Sequence, residues 1–388
     1  MNSQAIGQSG ALKGLKVLDL TRVLAGPVCT MLLADMGAEV IKLEVPGTGD
    51  DSRGFPPFKQ GESTYFINNN RNKKSIVLNL KDPSDHQKLV EIIKSMDVLV
   101  ENFRPGTMEK LGLGYEDLKG TNDRLIYASI SGFGQYGPYK GKPGYDIIGQ
   151  AMGGIMSITG WPDSPPTRTG TAIADFLSAL FCTIGILSAL NARQSTGKGQ
   201  KIDVSIVDSV VTAIGTILQI YLAEGRIPKR AGNKYSFIAP YEAFKAKDGW
   251  FVLGVGSESI WKKFCKTIHM EYLIDDRRFT QNADRIKNSD VLVDIITEWA
   301  AHYTVNEIIE ILEKEGIPVA PINELDQIVS DPHIAVAREM IQKIVHPIAG
   351  KVDIVGNPIK MSDTPPGIYA SSPLLGEHTD EILEKYVK

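Results

Sequence analysis

Short apolar runs alternate with helix-length segments through the first third of the chain, and that alternation leaves few folds open. Val17-Leu18-Asp19-Leu20 has the apolar density of a buried strand. Gly26-Pro27 then opens a helix to about Met36, since proline is tolerated in a first helical turn. Glu39-Val40-Ile41-Lys42-Leu43 is the next strand, ending in Glu44, and residues 75–80 form another. Asp82-Pro83 starts a helix that places Leu89, Ile92, Ile93 and Met96 on one face. Residues 97–100 and 125–130 are further strands. Strands separated by helices require right-handed crossovers, which predicts an α/β fold with a Rossmann-like, largely parallel sheet. Ligands of such sheets bind beyond the carboxyl ends of the strands, so the candidate loops are 21–25, 101–106 and 131–137.

The second half changes character. A long helix over about 175–193 stops at Ser195-Thr196-Gly197-Lys198-Gly199, a short strand covers 201–204, and an apolar helix runs to about Ala223. Residues 224–232 are polar with glycine and proline and mark a linker. Beyond it, strands at 241–246 and 250–253 flank Lys247-Asp248-Gly249, a hairpin signal. Helical patterns follow near 258–268, 289–302 and 306–315. A chain of 388 residues exceeds what one core supports, which predicts a large α/β domain over 1–225 and a small α+β domain over 226–324.

Several chemistries lack their residues. A net charge of −4 argues against nucleic acid as the main partner. Met1-Asn2-Ser3-Gln4-Ala5 shows no basic region followed by an apolar core, which argues against a secretory signal. The apolar run 176–190 falls short of the ~20 residues a bilayer span needs, so a buried helix and no membrane association are expected. Cys29, Cys182 and Cys265 form no CxxC, which suits a reducing cytoplasm and no structural zinc. The six histidines show no metal-ligand spacing. Glu44 sits where a ribose-binding acid would in a dinucleotide fold, but Thr21-Arg22-Val23-Leu24-Ala25-Gly26-Pro27 replaces the G-x-G-x-x-G turn. Gly197-Lys198-Gly199 lacks the rest of a phosphate loop, and no G-x-S-x-G elbow is present.

One acid stands out. Asp175 closes Gly170-Thr171-Ala172-Ile173-Ala174-Asp175, directly ahead of the apolar run, and no other acid lies between it and Asp203. A carboxylate at the mouth of an apolar helix costs solvation free energy unless the helix N-terminus or a reaction offsets it. Taken alone, Asp175 reads as an N-cap or first-turn acid.

The remaining motifs alter that balance. Val17 to Pro27, Gly37-Ala38-Glu39-Val40-Ile41-Lys42, Asn70-Arg71-Asn72-Lys73-Lys74-Ser75, Val100-Glu101-Asn102-Phe103-Arg104-Pro105-Gly106, Gly144-Tyr145-Asp146, Thr196-Gly197-Lys198-Gly199-Gln200 and Leu375-Gly376-Glu377-His378-Thr379 occur in order over nearly the whole chain. Together they resemble the family III CoA-transferases, the formyl-CoA, carnitine and succinyl-CoA-dependent type. The resemblance implies that Asp175 is the catalytic aspartate, carrying CoA as a thioester between two carboxylic acids. It implies coenzyme A contacts at Leu24 and Ala25, at Leu78, Asn79, Leu80 and Lys81, at Asn102, Phe103 and Arg104, at Lys110, and across 142–146 with Lys142, Tyr145 and Asp146. Arg104 and Lys110 suit the phosphates, one as a bidentate fork and one as a point charge. No metal is implied.

The resemblance also implies an interlocked homodimer whose large domain is completed by residues 325–388. Val45-Pro46 departs from the basic pair of formyl-CoA transferase. Gly254-Val255-Gly256 stands where some members have a glycine loop that shields the intermediate, but without their run of four glycines it reads equally as a strand end turning into a helix. Residues 21–27, 47–51 and 62–66 resemble succinyl-CoA:glutarate-type enzymes, so succinyl-CoA is the expected donor. Carnitine-like, hydroxy-acid and aromatic acceptors stay open. The related α-methylacyl-CoA racemases carry a histidine where Tyr145 stands, and a tyrosine of ordinary pKa near ~10 is a poor base at neutral pH. A CoA-binding module without turnover is the non-enzymatic alternative.

Overall fold

The computed structural model describes residues 10–387, so the Met1–Ala5 start lies outside the described residues. The chain divides into two compact units. One holds the residues up to Ile155, Arg168–Gly225 and the stretch from Asp331 onward; the other holds Met156–Thr167 and Arg226–Ser330.

In the first unit a six-stranded sheet is parallel throughout. Its strands are β1 (Lys16–Asp19), β2 (Glu39–Glu44), β3 (Lys73–Val77), β4 (Val98–Glu101), β5 (Ile126–Ser131) and β6 (Lys201–Ser205), in the order β3-β2-β1-β4-β5-β6. Leu18 lies beside Ile41 on one side and Leu99 on the other. The direction of winding reverses between β1 and β4. Loops leaving their carboxyl ends therefore diverge and open a crevice, the place where doubly wound sheets bind ligands.

Successive strand residues point to opposite faces, and both faces are covered. Val17, Val40, Val98, Ile126 and Ala128 pack with α1 (Ala25–Asp35), while Leu18, Ile41, Ile76, Leu99 and Tyr127 pack with α2 (Pro83–Ile93). Asp82 caps α2 by accepting from the amides of Ser84 and Asp85, and Pro83 occupies its first turn. The tail closes the β3 edge: Val77 N donates to Thr379 Oγ1, and Ile382 joins the α2 side of the core.

Three further helices frame the crevice: α3 (Asp146–Met152), α4 (Ile173–Thr196) and α5 (Ile206–Ala213). At 24 residues α4 is longer than its apolar run. By length and composition it meets the standard for a bilayer span, which corrects the length inferred from residues 176–190 but not the expectation of a core helix, since core helices meet the same standard. Within this unit it packs on α1, β5, β6 and α5, burying Ala179, Cys182, Ile186 and Ala189. The single apolar helix expected after β6 is two, α5 and α6 (Gly215–Glu224), bent by 73°. Ile214, with ψ of 8°, ends the first, and Gly215 begins the second.

The second unit is an antiparallel sheet of β7 (Tyr241–Lys245), β8 (Trp250–Gly254) and β9 (Val319–Pro321), with β8 in the middle. Phe244, Phe251 and Leu253 form its core with Trp261, Phe264, Leu292 and Ile296 from the following helices. Residues 156–167 group here because the Arg230 guanidinium donates to the carbonyls of Trp161 and Ser164. Val255 is 1% exposed and its amide donates to Pro240 O, so Gly254-Val255-Gly256 is an anchored strand end leading into the helix Glu258–Thr267.

Candidate active site

The loop after β1 is fixed from every side. Asp19, fully buried at the end of β1, accepts from Thr21 N at 2.9 Å and from Thr30 Oγ1 at 2.7 Å. Lys73 Nζ reaches the same carboxylate at 2.9 Å. Lys42 Nζ donates to Thr21 O at 2.7 Å and pairs with Asp50 Oδ2 at 2.8 Å. Asn102, from the loop after β4, clamps the Arg22 backbone: its Oδ1 accepts from Arg22 N at 2.9 Å and its Nδ2 donates to Arg22 O at 2.8 Å. Asp50 Oδ1 then accepts from Val23 N at 3.1 Å.

These bonds hold Val23 at φ +71°, a left-handed conformation rare for a β-branched residue. Such strain costs about 1–3 kcal/mol and persists only where surroundings over-determine it. Its effect is to turn the chain sharply into α1, whose N-cap residue Leu24 offers no side-chain cap.

The buried charges balance one another. Burial alone would raise the Asp19 carboxyl, but Lys73, Lys42 and Thr21 hold it well below the usual range. Burial is likewise outweighed at Asp50 by Lys42, which holds that carboxyl low. Burial pushes Lys73 down to about 8 against the pull of Asp19. Glu44, buried at the end of β2, is held low against burial by Arg53, which it binds at 2.7 Å. Glu44 thus serves an ion pair at the base of the loop.

Above this network lies a cavity of about 380 Å³ whose lining includes Leu24, Ala25, Asn102, Phe103, Arg104, Lys142, Tyr145 and Asp175. A second cavity of about 370 Å³ takes in Asn79, Leu80 and Lys81, with Val45 opposite. Eleven of the fourteen residues singled out from sequence thus gather at two sites, while three fall elsewhere. Leu78 is 2% exposed and belongs to the core. Lys110, exposed at the end of the short helix Thr107–Lys110, lines neither cavity. Asp146 lines neither and does something else.

Asp146 caps α4. Its Oδ1 accepts from Ala174 N at 2.9 Å and its Oδ2 from Gln150 Nε2 at 2.7 Å, while Gln150 Oε1 accepts from Thr169 N at 2.9 Å. The cap role that sequence offered to Asp175 is therefore filled from α3. Asp175, third residue of α4 and half-buried, accepts no hydrogen bond on its carboxylate among the described residues. Burial first, and then the charge of Asp146, push it up to about 7. Gly144 fixes the opposite wall: a Cβ there would come within 2.6 Å of the Gly132 Cα, so the loops bearing Tyr145 and Ser131 meet backbone to backbone.

Two residues that act on the site without lining either cavity were not singled out from sequence. Tyr65 lies on the short helix Thr64–Asn69; burial, then the charges of Asp175 and Asp50, push its phenol up to about 12, so it remains a proton donor. Glu101, pushed up to about 7 by burial, accepts from Phe103 N at 2.8 Å and shapes the loop after β4. The segment Glu62-Ser63-Thr64-Tyr65-Phe66 was informative only as a likeness. Glu101 reads as an ordinary strand end.

A parallel sheet with an unpaired carboxylate in its switch-point crevice has the form of a ligand-binding α/β protein. The model of CoA-transferase family III matches residues 12–379. The chain is 44% identical to an acetyl-CoA:oxalate CoA-transferase of Acetobacter aceti, over 91% of this chain and 90% of that protein. It is 41% identical to a succinyl-CoA:glutarate CoA-transferase of Mus musculus, over 97% and 86%. The crystal structure of a CaiB/BaiF family protein from Brucella suis superposes with a TM-score of 0.85 at 37% identity, covering 98% of this chain and 100% of that one. The chain belongs to CoA-transferase family III and is an acyl-CoA:carboxylate CoA-transferase.

Proposed function

We propose that this enzyme moves CoA from a dicarboxylyl-CoA donor, succinyl-CoA foremost, to a carboxylic acid acceptor, with Asp175 as the covalent carrier. The observation that carries the reading is the Asp175 carboxylate itself, uncapped, half-buried and lining the cavity at the switch point. A group so placed has lost solvation without gaining a structural partner, which leaves its lone pairs free for nucleophilic catalysis.

In the proposed cycle, an Asp175 oxygen attacks the donor thioester carbonyl and the C–S bond breaks, giving a mixed anhydride and CoA thiolate. The thiolate attacks the aspartyl carbonyl, the anhydride C–O bond breaks, and the donor leaves as its carboxylate. The acceptor carboxylate then attacks the aspartyl thioester and expels the thiolate, forming a new anhydride. Thiolate attack on the acceptor's carbonyl yields acceptor-CoA and restores Asp175. No net proton is consumed, and exclusion of water protects the acyl intermediates.

CoA would lie with its thiol end beside Asp175 and its nucleotide end beside Asn79, Leu80 and Lys81. Arg104 and Lys142 are available to its anionic groups. Homodimer formation is part of the proposal, and exposed Ile147, Met152, Phe176, Leu180, Ile184 and Leu222 offer apolar surface for it. A monomeric mass at low micromolar concentration would count against it.

The test is incubation with succinyl-CoA and a panel of carboxylates, reading product masses. New acyl-CoA formed mole for mole with succinate supports transfer; solvent deuterium entering the α-position of a 2-methylacyl-CoA without transfer supports the racemase alternative. Tight CoA binding with no exchange of label between free acid and thioester indicates a module without turnover.

A pH dependence follows from the raised Asp175. Only the ionised carboxylate attacks, so single-turnover transfer is expected to rise with pH through about 7 and level off above it. Asp146→Asn removes the second cause of the shift, so its midpoint moves to lower pH. A midpoint at the ordinary carboxylate value near ~4 would contradict the buried, unpartnered state of Asp175.

A further inference from the structure

The two cavities meet at one place. Of their lining residues, only Arg22 and Phe103 belong to both. The Arg22 guanidinium carbon lies 5.2 Å from the centre of the Phe103 ring, so cation and ring together form the wall that the two cavities share.

Arg22 is fixed where it begins and free where it ends. Asn102 holds both its backbone N–H and its C=O, and Val23 follows it in a strained conformation. Its side chain makes one hydrogen bond among the described residues, to Asp51 at 3.4 Å, with 43% and 60% of the two side chains exposed. Exposed pairs of that length contribute little. Nearby Asp50 and Glu44 are already neutralised by Lys42 and Arg53. A positioned planar fork with unsatisfied donors therefore lines both cavities.

We propose that Arg22 binds the diphosphate of coenzyme A where the ligand threads from the Asn79–Lys81 cavity to the Asp175 cavity. The inference rests on the CoA-transfer reading above. Coenzyme A is anionic at its middle as well as at its 3′-phosphate, and a ligand spanning both cavities brings the middle to the shared wall. The guanidinium fork matches phosphate oxygens bidentately, and the Phe103 ring holds its plane. Asp51 is the partner exchanged for phosphate on binding. Asn102, whose amide is used on the Arg22 backbone, is on this view a positioning residue. Lys110, outside both cavities, has no part in holding the diphosphate.

The experiment compares wild type, Arg22→Gln and Arg22→Lys with three donors: succinyl-CoA, succinyl-3′-dephospho-CoA and succinyl-pantetheine, which lacks the diphosphate. Loss of a charge-assisted hydrogen bond predicts that Arg22→Gln lowers kcat/KM roughly 10- to 100-fold, through KM, for the first two donors. With succinyl-pantetheine the variant matches wild type, and Arg22→Lys recovers part of the loss with the two diphosphate donors. An equal loss with all three donors would assign Arg22 a structural role and overturn the proposal. So would no loss at all, or a loss that disappears with the dephospho donor, which would place Arg22 on the 3′-phosphate. If the wild type transfers CoA from no donor, the CoA-transfer reading fails instead.

Discussion

Asp175→Ala is expected to lower transfer by at least ~10⁴-fold while acyl-CoA still binds, because the substitution removes the proposed nucleophile and leaves the cavity walls standing. The contrast between kcat and ligand affinity is the informative part. Asp175 accepts no hydrogen bond among the described residues, and the N-terminus of α4 is capped by Asp146, so no structural bond is lost with the carboxylate. Its removal should even stabilise the fold. Folding raises this carboxyl from an ordinary value to about 7, so an ionised Asp175 favours the unfolded chain increasingly as pH rises between those two values. Asp175→Asn is therefore expected to melt higher than wild type by a few degrees at about pH 8, and by less at about pH 5. Thermal unfolding at the two pH values checks the sign. Retained turnover in the alanine variant would remove Asp175 from the chemistry.

Asp50→Ala is expected to be the most damaging change to the scaffold of the site. It leaves Lys42, wholly buried, without its closest carboxylate at 2.8 Å, and leaves Val23 N without an acceptor. Breaking a buried pair from one side costs about 3–5 kcal/mol, which corresponds to a fall in Tm on the order of 10 °C for a unit of this size. Transfer falls as well, because Val23 is free to leave its left-handed conformation and the wall formed by Arg22, Leu24 and Ala25 shifts with it.

A double variant separates the two effects. Lys42→Met with Asp50→Leu removes both charges, so most of the lost stability returns, yet nothing accepts from Val23 N and KM for acyl-CoA stays high. Melting curves and KM for the single and double variants decide the matter. A single variant as stable as wild type would show that the network is dispensable.

Much of the parallel sheet was legible because buried parallel strands are continuous apolar runs. Most of the expected strands lie within a residue or two of their observed bounds, whereas Val319–Pro321, Ile341–His346 and Gly350–Val355 were not expected at all. One displaced strand is instructive. β3 was expected at 75–80 but spans Lys73–Val77, because Lys73 enters the core to meet Asp19, and a lysine in a core defeats any reading by polarity. Strand order was not legible, since it depends on pairing between segments distant in sequence. The break at Ile214 carried no signal beyond the glycine that follows it.

At the site, the motif and the isolation among apolar residues singled out Asp175, which lines the cavity. The capping by Asp146, the closeness of Tyr65 and the shared position of Arg22 were not. Each arises where separate loops converge, and none leaves a pattern at fixed spacing. Val23 is the clearest instance: nothing in a valine announces a positive φ, which is imposed by Asp50 and Asn102 from 27 and about 80 residues away.

The most direct measurement is chemical trapping of the enzyme during turnover. The protein is mixed with succinyl-CoA, quenched with hydroxylamine or borohydride, digested, and its peptides weighed. The expected result is a hydroxamate, or the reduced alcohol, on Asp175 alone, appearing only when an acyl-CoA donor is supplied. An unmodified Asp175 in a preparation that is still transferring CoA would contradict the covalent mechanism.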